Sequence, residues 1–185
     1  MKKKVIYSII IVSVIIILSV AVTYAVYTFS GVVNISGTSE CFDVNYVKGQ
    51  DIGSDSNTAN FVLASTYTEG LSSVIKVNLK DTCTITNGTG TLYLNTDTSV
   101  TSSTILSGKV LKYQVLDGTT PVGSGIVSSA ESIEIYKDIP ITTTVKTITV
   151  YIWLDGNLVT EQNQNEILSS VYKGHISMDI KSGDK

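Results

Sequence analysis

Residues 143–155 have the sequence Thr-Thr-Val-Lys-Thr-Ile-Thr-Val-Tyr-Ile-Trp-Leu-Asp. In an extended chain, Ile148, Val150, Ile152 and Leu154 fall on one side, and threonine and aromatic residues fall on the other. A period of two is the pattern of a β-strand with one face in a core, and β-branched residues favour that conformation. We therefore predict a strand over 143–154, ended by the Asp-Gly-Asn turn at 155–157.

The same alternation recurs along most of the chain after residue 40. It predicts strands at 41–47, 60–65, 73–79, 109–116 and 171–180, with shorter ones at 125–128 and 132–136. Two turns carry Gly and Asn or Asp: 87–90, as a hairpin between strands 83–86 and 91–94, and 117–120. Residues 99–106 and 161–169 do not alternate, and the second stretch is either a loop or a single helical turn. Eight to ten short strands indicate an all-β fold, a single β-sandwich with jelly-roll or Greek-key (Ig-like) connections.

The N-terminus carries an export signal. Lys2, Lys3 and Lys4 precede an apolar run over 5–22, and the next charged residue is Glu40. Such a run meets a membrane at least during synthesis, with the lysines on the cytoplasmic side. We predict three parts: a signal peptide or transmembrane anchor helix at 1–25, an N-terminal strand or stalk at 26–40, and the β-sandwich at 41–185.

Whether residues 1–25 stay attached is open. The run is close to the roughly 20 residues that span a bilayer, which favours a retained anchor. Thr23 and Ala25 are small residues at the −3 and −1 positions of a cut between Ala25 and Val26, which favours a signal peptidase. Tyr24 and Tyr27 also suit the membrane interface of an uncut anchor.

Charge limits the partners of the exported part. All thirteen basic residues are lysines. Beyond residue 25 there are ten lysines and sixteen acidic residues. An acidic, arginine-free surface argues against nucleic acid, because phosphate binding needs a basic footprint.

Cys41 and Cys83 are the two cysteines of the chain, and both follow the apolar run. An even number of cysteines in an exported chain favours a disulfide, with two buried thiols as the alternative.

No catalytic, cofactor-binding or metal-binding signature stands out. His175 is the single histidine, so a His-Glu-x-x-His zinc site cannot form, and no Gly-x-Ser-x-Gly elbow presents a nucleophile. The stretch 51–55 lacks the ligand spacing of a calcium loop. Six aromatic residues are candidates for stacking on sugars, although strand aromatics more often pack in cores or across strands. They are Tyr67, Tyr93, Tyr113, Tyr136, Tyr151 and Trp153.

The junction at 23–29, Thr-Tyr-Ala-Val-Tyr-Thr-Phe, and the late strand at 144–155 resemble the TasA/camelysin group of Gram-positive surface proteins. The apolar segment is similar to those cut by the dedicated SipW-type signal peptidase of that group. This resemblance implies a jelly-roll sandwich that assembles into extracellular fibres of a biofilm matrix. Some relatives carry a metalloprotease label, for which this sequence offers no zinc motif.

Residues 26–36 are uncharged, rich in β-formers and without proline. If cleavage frees them, this strand can complete the open edge of a second copy, with Tyr27, Phe29, Val32 and Val33 as assembly residues. Head-to-tail repetition of that pairing gives a homopolymeric filament. The alternatives are pairing within the same domain, a stalk above the membrane, and a membrane-anchored adhesin or ligand-binding module. A secreted enzyme is the least supported class.

Overall fold

A computed structural model of the chain describes residues 26–29, 41–47, 58–60, 63–97, 101, 103–129, 132–168 and 172–182. Within these ranges β-strands dominate, which confirms the prediction of an all-β fold. The strands are β1 Val26–Phe29, β2 Phe42–Val47, β3 Thr58–Asn60, β4 Leu63–Ala64, β5 Leu71–Leu79, β6 Gly88–Thr96, β7 Leu111–Asp117, β8 Thr120–Ile126, β9 Ser132–Ile141, β10 Lys146–Asp155 and β11 Lys173–Ser182. The helices are α1 Ser103–Ser107 and α2 Gln164–Leu168, with 3-10 turns at Tyr67–Glu69 and Gly156–Leu158.

The strands form two sheets. The first has the order β3-β1-β11-β6-β9, and the second has the order β2-β5-β10-β7-β8, with β4 beside the end of β10. Neighbouring strands are antiparallel except at two places, β1 beside β11 and β4 beside β10. Between β5 and β11 the chain passes repeatedly from one sheet to the other, so consecutive strands often lie in different sheets.

Both sheets contribute to one hydrophobic core. From β10, the predicted inward residues Ile148, Val150, Ile152 and Leu154 are all buried. In the first sheet, buried side chains alternate with more exposed ones along most of β6 and β11. The largest fully buried side chains are Tyr172, Ile75, Leu79, Leu92, Leu94, Ile105, Leu111, Ile139 and Ile141.

The hairpin predicted around 87–90 is wrong. Gly88 and Gly90 belong to β6, and residues 83–86, the predicted first arm of the hairpin, form no strand. A Cβ at Gly88 would lie 2.5 Å from the Phe42 ring, and one at Gly90 would lie 3.1 Å from Ile141 Cδ1. These glycines make room for large core side chains, so a pattern typical of a turn instead marks close packing.

The turn at 117–120 is confirmed, because β7 ends at Asp117 and β8 begins at Thr120. Gly118 has φ +60° there, a conformation that glycine adopts without strain. Two predicted strands are too short. β8 begins at Thr120 rather than at 125, and β9 continues to Ile141. β8 is an edge strand containing Pro121 and two glycines, so it lacks the alternation on which the prediction relied.

The two stretches that do not alternate both contain a short helix, α1 and α2. Neither helix in the described ranges has the length and apolar character that crossing a membrane requires. The signal peptide or anchor predicted for residues 1–25 lies outside the described residues.

Candidate functional site

The predicted assembly strand begins with β1, the strand directly after the proposed cut at Ala25/Val26. β1 lies between β3 and β11 in the first sheet. It runs antiparallel to β3, where Val26, Tyr27 and Thr28 pair with Asn60, Ala59 and Thr58. It runs parallel to β11, where Thr28 pairs with Lys173 and Phe29 with Gly174.

The two edges of β11 are therefore paired to different extents. On one side, β6 pairs with β11 from Gly174 to Ser182. On the other side, β1 pairs with it at Lys173 and Gly174, and no further pair is present among the residues described here. Because β3 also pairs with β1 in that part of the chain, β1 is the link through which β3 joins the first sheet.

The predicted assembly residues divide into two groups. Tyr27 and Phe29 both belong to β1. Val32 and Val33 lie outside the described residues, as does Ala25 on the other side of the proposed cleavage site. Val26 is the first residue of β1.

Cys41 and Cys83 form a disulfide, with their Cα atoms 5.5 Å apart. The bond joins the residue before β2 to the segment between β5 and β6. The backbone amide of Lys80 also donates to the carbonyl oxygen of Cys41 at 2.9 Å. A disulfide is consistent with an oxidising compartment such as the cell exterior.

His175 lies on β11 opposite Asn95 of β6 and is partly exposed. Its carbonyl oxygen accepts a long hydrogen bond, 3.5 Å, from the Asn95 side chain, whose Nδ2 also donates to Ser177 Oγ at 2.7 Å. In the described ranges, no group of three or more His, Cys, Asp and Glu residues has the geometry to hold a metal ion.

The six candidate aromatic residues do not form one platform. Tyr113 is buried in the core, where desolvation raises its pKa. Tyr136 donates to Asp117 Oδ2 at 3.0 Å; its pKa is raised to about 12, first by burial and then by that hydrogen bond and the aspartate charge. Tyr93 lies on β6 of the first sheet, next to the strand β9 that carries Tyr136, whereas Tyr113 lies on β7 of the second sheet.

Tyr67, Tyr151 and Trp153 do come together, and we call them the aromatic cluster. Tyr151 and Trp153 project from the face of β10 opposite the core, and Tyr67 reaches them from the 3-10 turn between β4 and β5. The Tyr67 ring lies 5.1 Å from that of Tyr151, edge to face, and 6.4 Å from that of Trp153. This is a favourable arrangement of aromatic rings.

The aromatic cluster contains a buried hydrogen-bond donor. Trp153 is 9% exposed although it faces away from the core, and its Nε1 has no hydrogen-bond partner among the described residues. The turn lies directly on it, because a Cβ at Gly70 would be 2.7 Å from Trp153 Cβ. A buried indole N–H without a partner costs about 1–3 kcal/mol.

Asp155 closes β10 beside the aromatic cluster. It forms an ion pair with Lys112 of β7, and its Oδ1 accepts from the backbone amide and the side chain of Asn157 at 3.0 and 2.9 Å. The hydrogen bond from Lys112 is the main cause of a lowered Asp155 pKa. At the other end of β10, Lys146 pairs with Asp117 at 2.7 Å. Both ion pairs connect β10 with β7.

No known family model matches this chain, and no curated protein is significantly similar to it in sequence. The candidate functional site is therefore identified from the geometry of the described residues. The sequence did not predict that Tyr67 lies next to Trp153, because the turn that carries Tyr67 has no alternation of polar and apolar residues. A signal was present in Thr66 and Glu69, a capping-box spacing that forms in the structure.

Proposed function

We propose that this chain is an exported structural protein of the cell surface that assembles into fibres by β-strand addition. The observation that carries the proposal is the position of β1 between β3 and β11, with Lys173 and Gly174 as the residues of β11 paired to it in the described part of the chain. A strand held in this way can be exchanged for the same strand of a second copy, because every backbone hydrogen bond would be recreated between chains.

The strand order supports a jelly-roll for the exported domain. From β5 to β11 the strands form the runs β11-β6-β9 and β5-β10-β7-β8 in two sheets that share a core. Two sheets linked by such crossings are typical of a jelly-roll. In this sheet the first described strand, β1, lies beside the last one, β11. Since β1 is parallel to β11 and 145 residues distant from it at Thr28–Lys173, no hairpin ties it there.

Export to an oxidising space is supported by the Cys41–Cys83 disulfide and by the lysine-led apolar run at 1–25. We infer that signal peptidase cuts after Ala25 and that the product is secreted or stays on the outer face of the membrane of a Gram-positive-type bacterium. The resemblance to the TasA/camelysin group suggests a biofilm matrix as the destination. We assign no reaction, cofactor or nucleic acid to the chain.

The test begins with the full chain, expressed with its export segment in a Gram-positive-type host. Intact mass under non-reducing conditions should give a species that starts at Val26 with the disulfide formed. Electron microscopy of the same sample should show filaments. A cell-bound species that retains residues 1–25 would contradict the cleavage step.

The variant Thr28→Pro addresses strand addition, because residue 28 pairs with both Thr58 and Lys173 and proline has no amide hydrogen to donate. We expect it to be exported and folded but not to form filaments. Thr28→Val is the matched control, since it keeps the amide and the strand propensity, and it should assemble normally. Filaments of normal length from Thr28→Pro would overturn the strand-addition mechanism.

The aromatic cluster favours a second candidate, a membrane-anchored adhesin or ligand-binding module. Half-buried tyrosine rings beside a tryptophan are suited to stacking on sugar rings. In that case monomeric protein should bind glycans, Trp153 fluorescence should change on binding, and Tyr67→Ala should remove both effects. Filaments without any glycan response would exclude this candidate.

A further inference from the structure

A cavity of about 590 Å³ lies beside α1, and no function described so far uses it. Lys109, Leu106 and Ile126 contribute one cation and two apolar side chains to its lining. Its other described lining residues all carry a hydroxyl group. They are Thr101, Ser103, Ser107, Ser128 and Ser129.

The charge of this lining differs from that of the chain as a whole. The chain has a net charge of −3, yet none of the described lining residues is acidic and one is a lysine. An ammonium group and the exposed hydroxyl groups of Ser103 and Ser129 suit an anion that carries further hydrogen-bonding groups.

The apolar part of the cavity sets a second requirement. Leu106 is almost completely buried, whereas Ile126 is 40% exposed and is one of the few large hydrophobic side chains in the described part of the chain that solvent reaches. Together they present carbon surface beside the hydroxyl groups. An inorganic ion would leave this apolar surface in contact with water, so a ligand that covers it needs a carbon skeleton.

The backbone at Lys109 is the third observation. Lys109 follows α1 with φ +55°, and its amide donates to the carbonyl oxygen of Leu106 at 3.2 Å. Glycine normally occupies the left-handed position after a helix. Here Lys109 occupies that position, and Gly108 comes one residue before it. The chain therefore accepts backbone strain at the residue that supplies the charge, a combination that is concentrated at functional sites.

We propose that this cavity binds a small anionic polyol, either a uronate or a polyol phosphate. The anionic group pairs with Lys109 Nζ, the hydroxyl groups of the ligand exchange hydrogen bonds with the Ser103 and Ser129 side chains, and its carbon skeleton covers Leu106 and Ile126. The volume of about 590 Å³ is within the range of small-molecule sites.

Binding is measured by calorimetry on the exported protein, in whichever form its intact mass establishes, at low ionic strength. The probes are glucuronate, glycerol phosphate and the neutral sugar glucose. We expect saturable binding of glucuronate, glycerol phosphate or both, at least tenfold tighter than that of glucose. Preference between the two anions identifies the source of the ligand. Equal binding of glucose, or no saturable binding of either anion, would overturn the proposal.

Two substitutions separate binding from folding. Lys109→Gln should weaken binding of the anions at least tenfold, while Lys76→Gln, which removes an exposed lysine on β5, should leave it unchanged. Lys109→Gly should also lose binding but raise the melting temperature, because it relieves the positive φ. Wild-type affinity in Lys109→Gln or Lys109→Gly would show that the lysine has no part in recognition.

Discussion

β10 and β1 are both paired on two sides, but they are held in place by very different means. β10 pairs with β5 from Lys146 to Ile152 and with β7 from Ile148 to Leu154, and every second side chain enters the core. The described part of β1 has four residues, with three pairs to β3 and two to β11. The position of β10 follows from its own alternation, whereas no such alternation is available over the four described residues of β1.

The largest expected effect comes from placing a charge on the inner face of β10. Val150 is completely buried, so Val150→Asp should cost on the order of 5 kcal/mol and leave the domain largely unfolded. Thr149→Asp, one residue away on the outer face, should retain the fold. Circular dichroism and urea denaturation measure both. Similar stability of the two variants would mean that the inner and outer faces of β10 are assigned wrongly.

Removing the disulfide tests how much the covalent bond at Cys41, directly before the edge strand β2, contributes to stability. The cysteines are 42 residues apart, and the loss of such a cross-link is worth about 4 kcal/mol in the chain-entropy model. We expect the double variant Cys41→Ser, Cys83→Ser to lose this amount in denaturant titrations. Reducing the wild-type protein should give the same loss, and an unchanged midpoint would contradict it.

The ion pair at the end of β10 should make stability depend on pH. Because the folded pKa of Asp155 is lowered, its stabilisation is complete above the unfolded pKa and is lost as the pH falls through the folded value. We expect Asp155→Asn to cost about 1–2 kcal/mol at pH 7 and little near pH 2. Asp43→Asn, at an exposed carboxylate on β2, is the control. A cost for Asp155→Asn that is constant with pH would exclude the ion pair as its cause.

Loss of β1 should have the smallest effect on folding. A chain that starts at Asn34 removes β1 but none of the buried core residues of the other strands. We expect its free energy of unfolding to stay within about 1 kcal/mol of that of the chain starting at Val26, while filament formation is lost. A loss comparable to that of Val150→Asp would mean that β1 is an integral strand of the monomer.

The comparison also shows which strands could be predicted from the sequence and which could not. β5, β7, β10 and β11 could be predicted because one face of each is in the core and the period of two is visible. β6 could be found only in part, since Gly88 and Gly90 resemble a turn until Phe42 and Ile141 are placed against them. No local pattern identifies the partner of β1, because Lys173 is distant in the chain. The same holds for the cavity at Lys109, whose lining comes from separate segments.

Exchange of β1 between chains is tested most directly by trapping it. One chain carries Thr28→Cys and a second carries Lys173→Cys, and the two are mixed before assembly. Residues 28 and 173 are neighbours in the register, and adjacent strands are about 4.8 Å apart, within reach of a disulfide. The account predicts chain-to-chain disulfides in filaments, and none when Lys181→Cys replaces Lys173→Cys. If the cross-link forms only when both cysteines are in the same chain, β1 pairs within its own domain and the proposed mode of assembly is wrong.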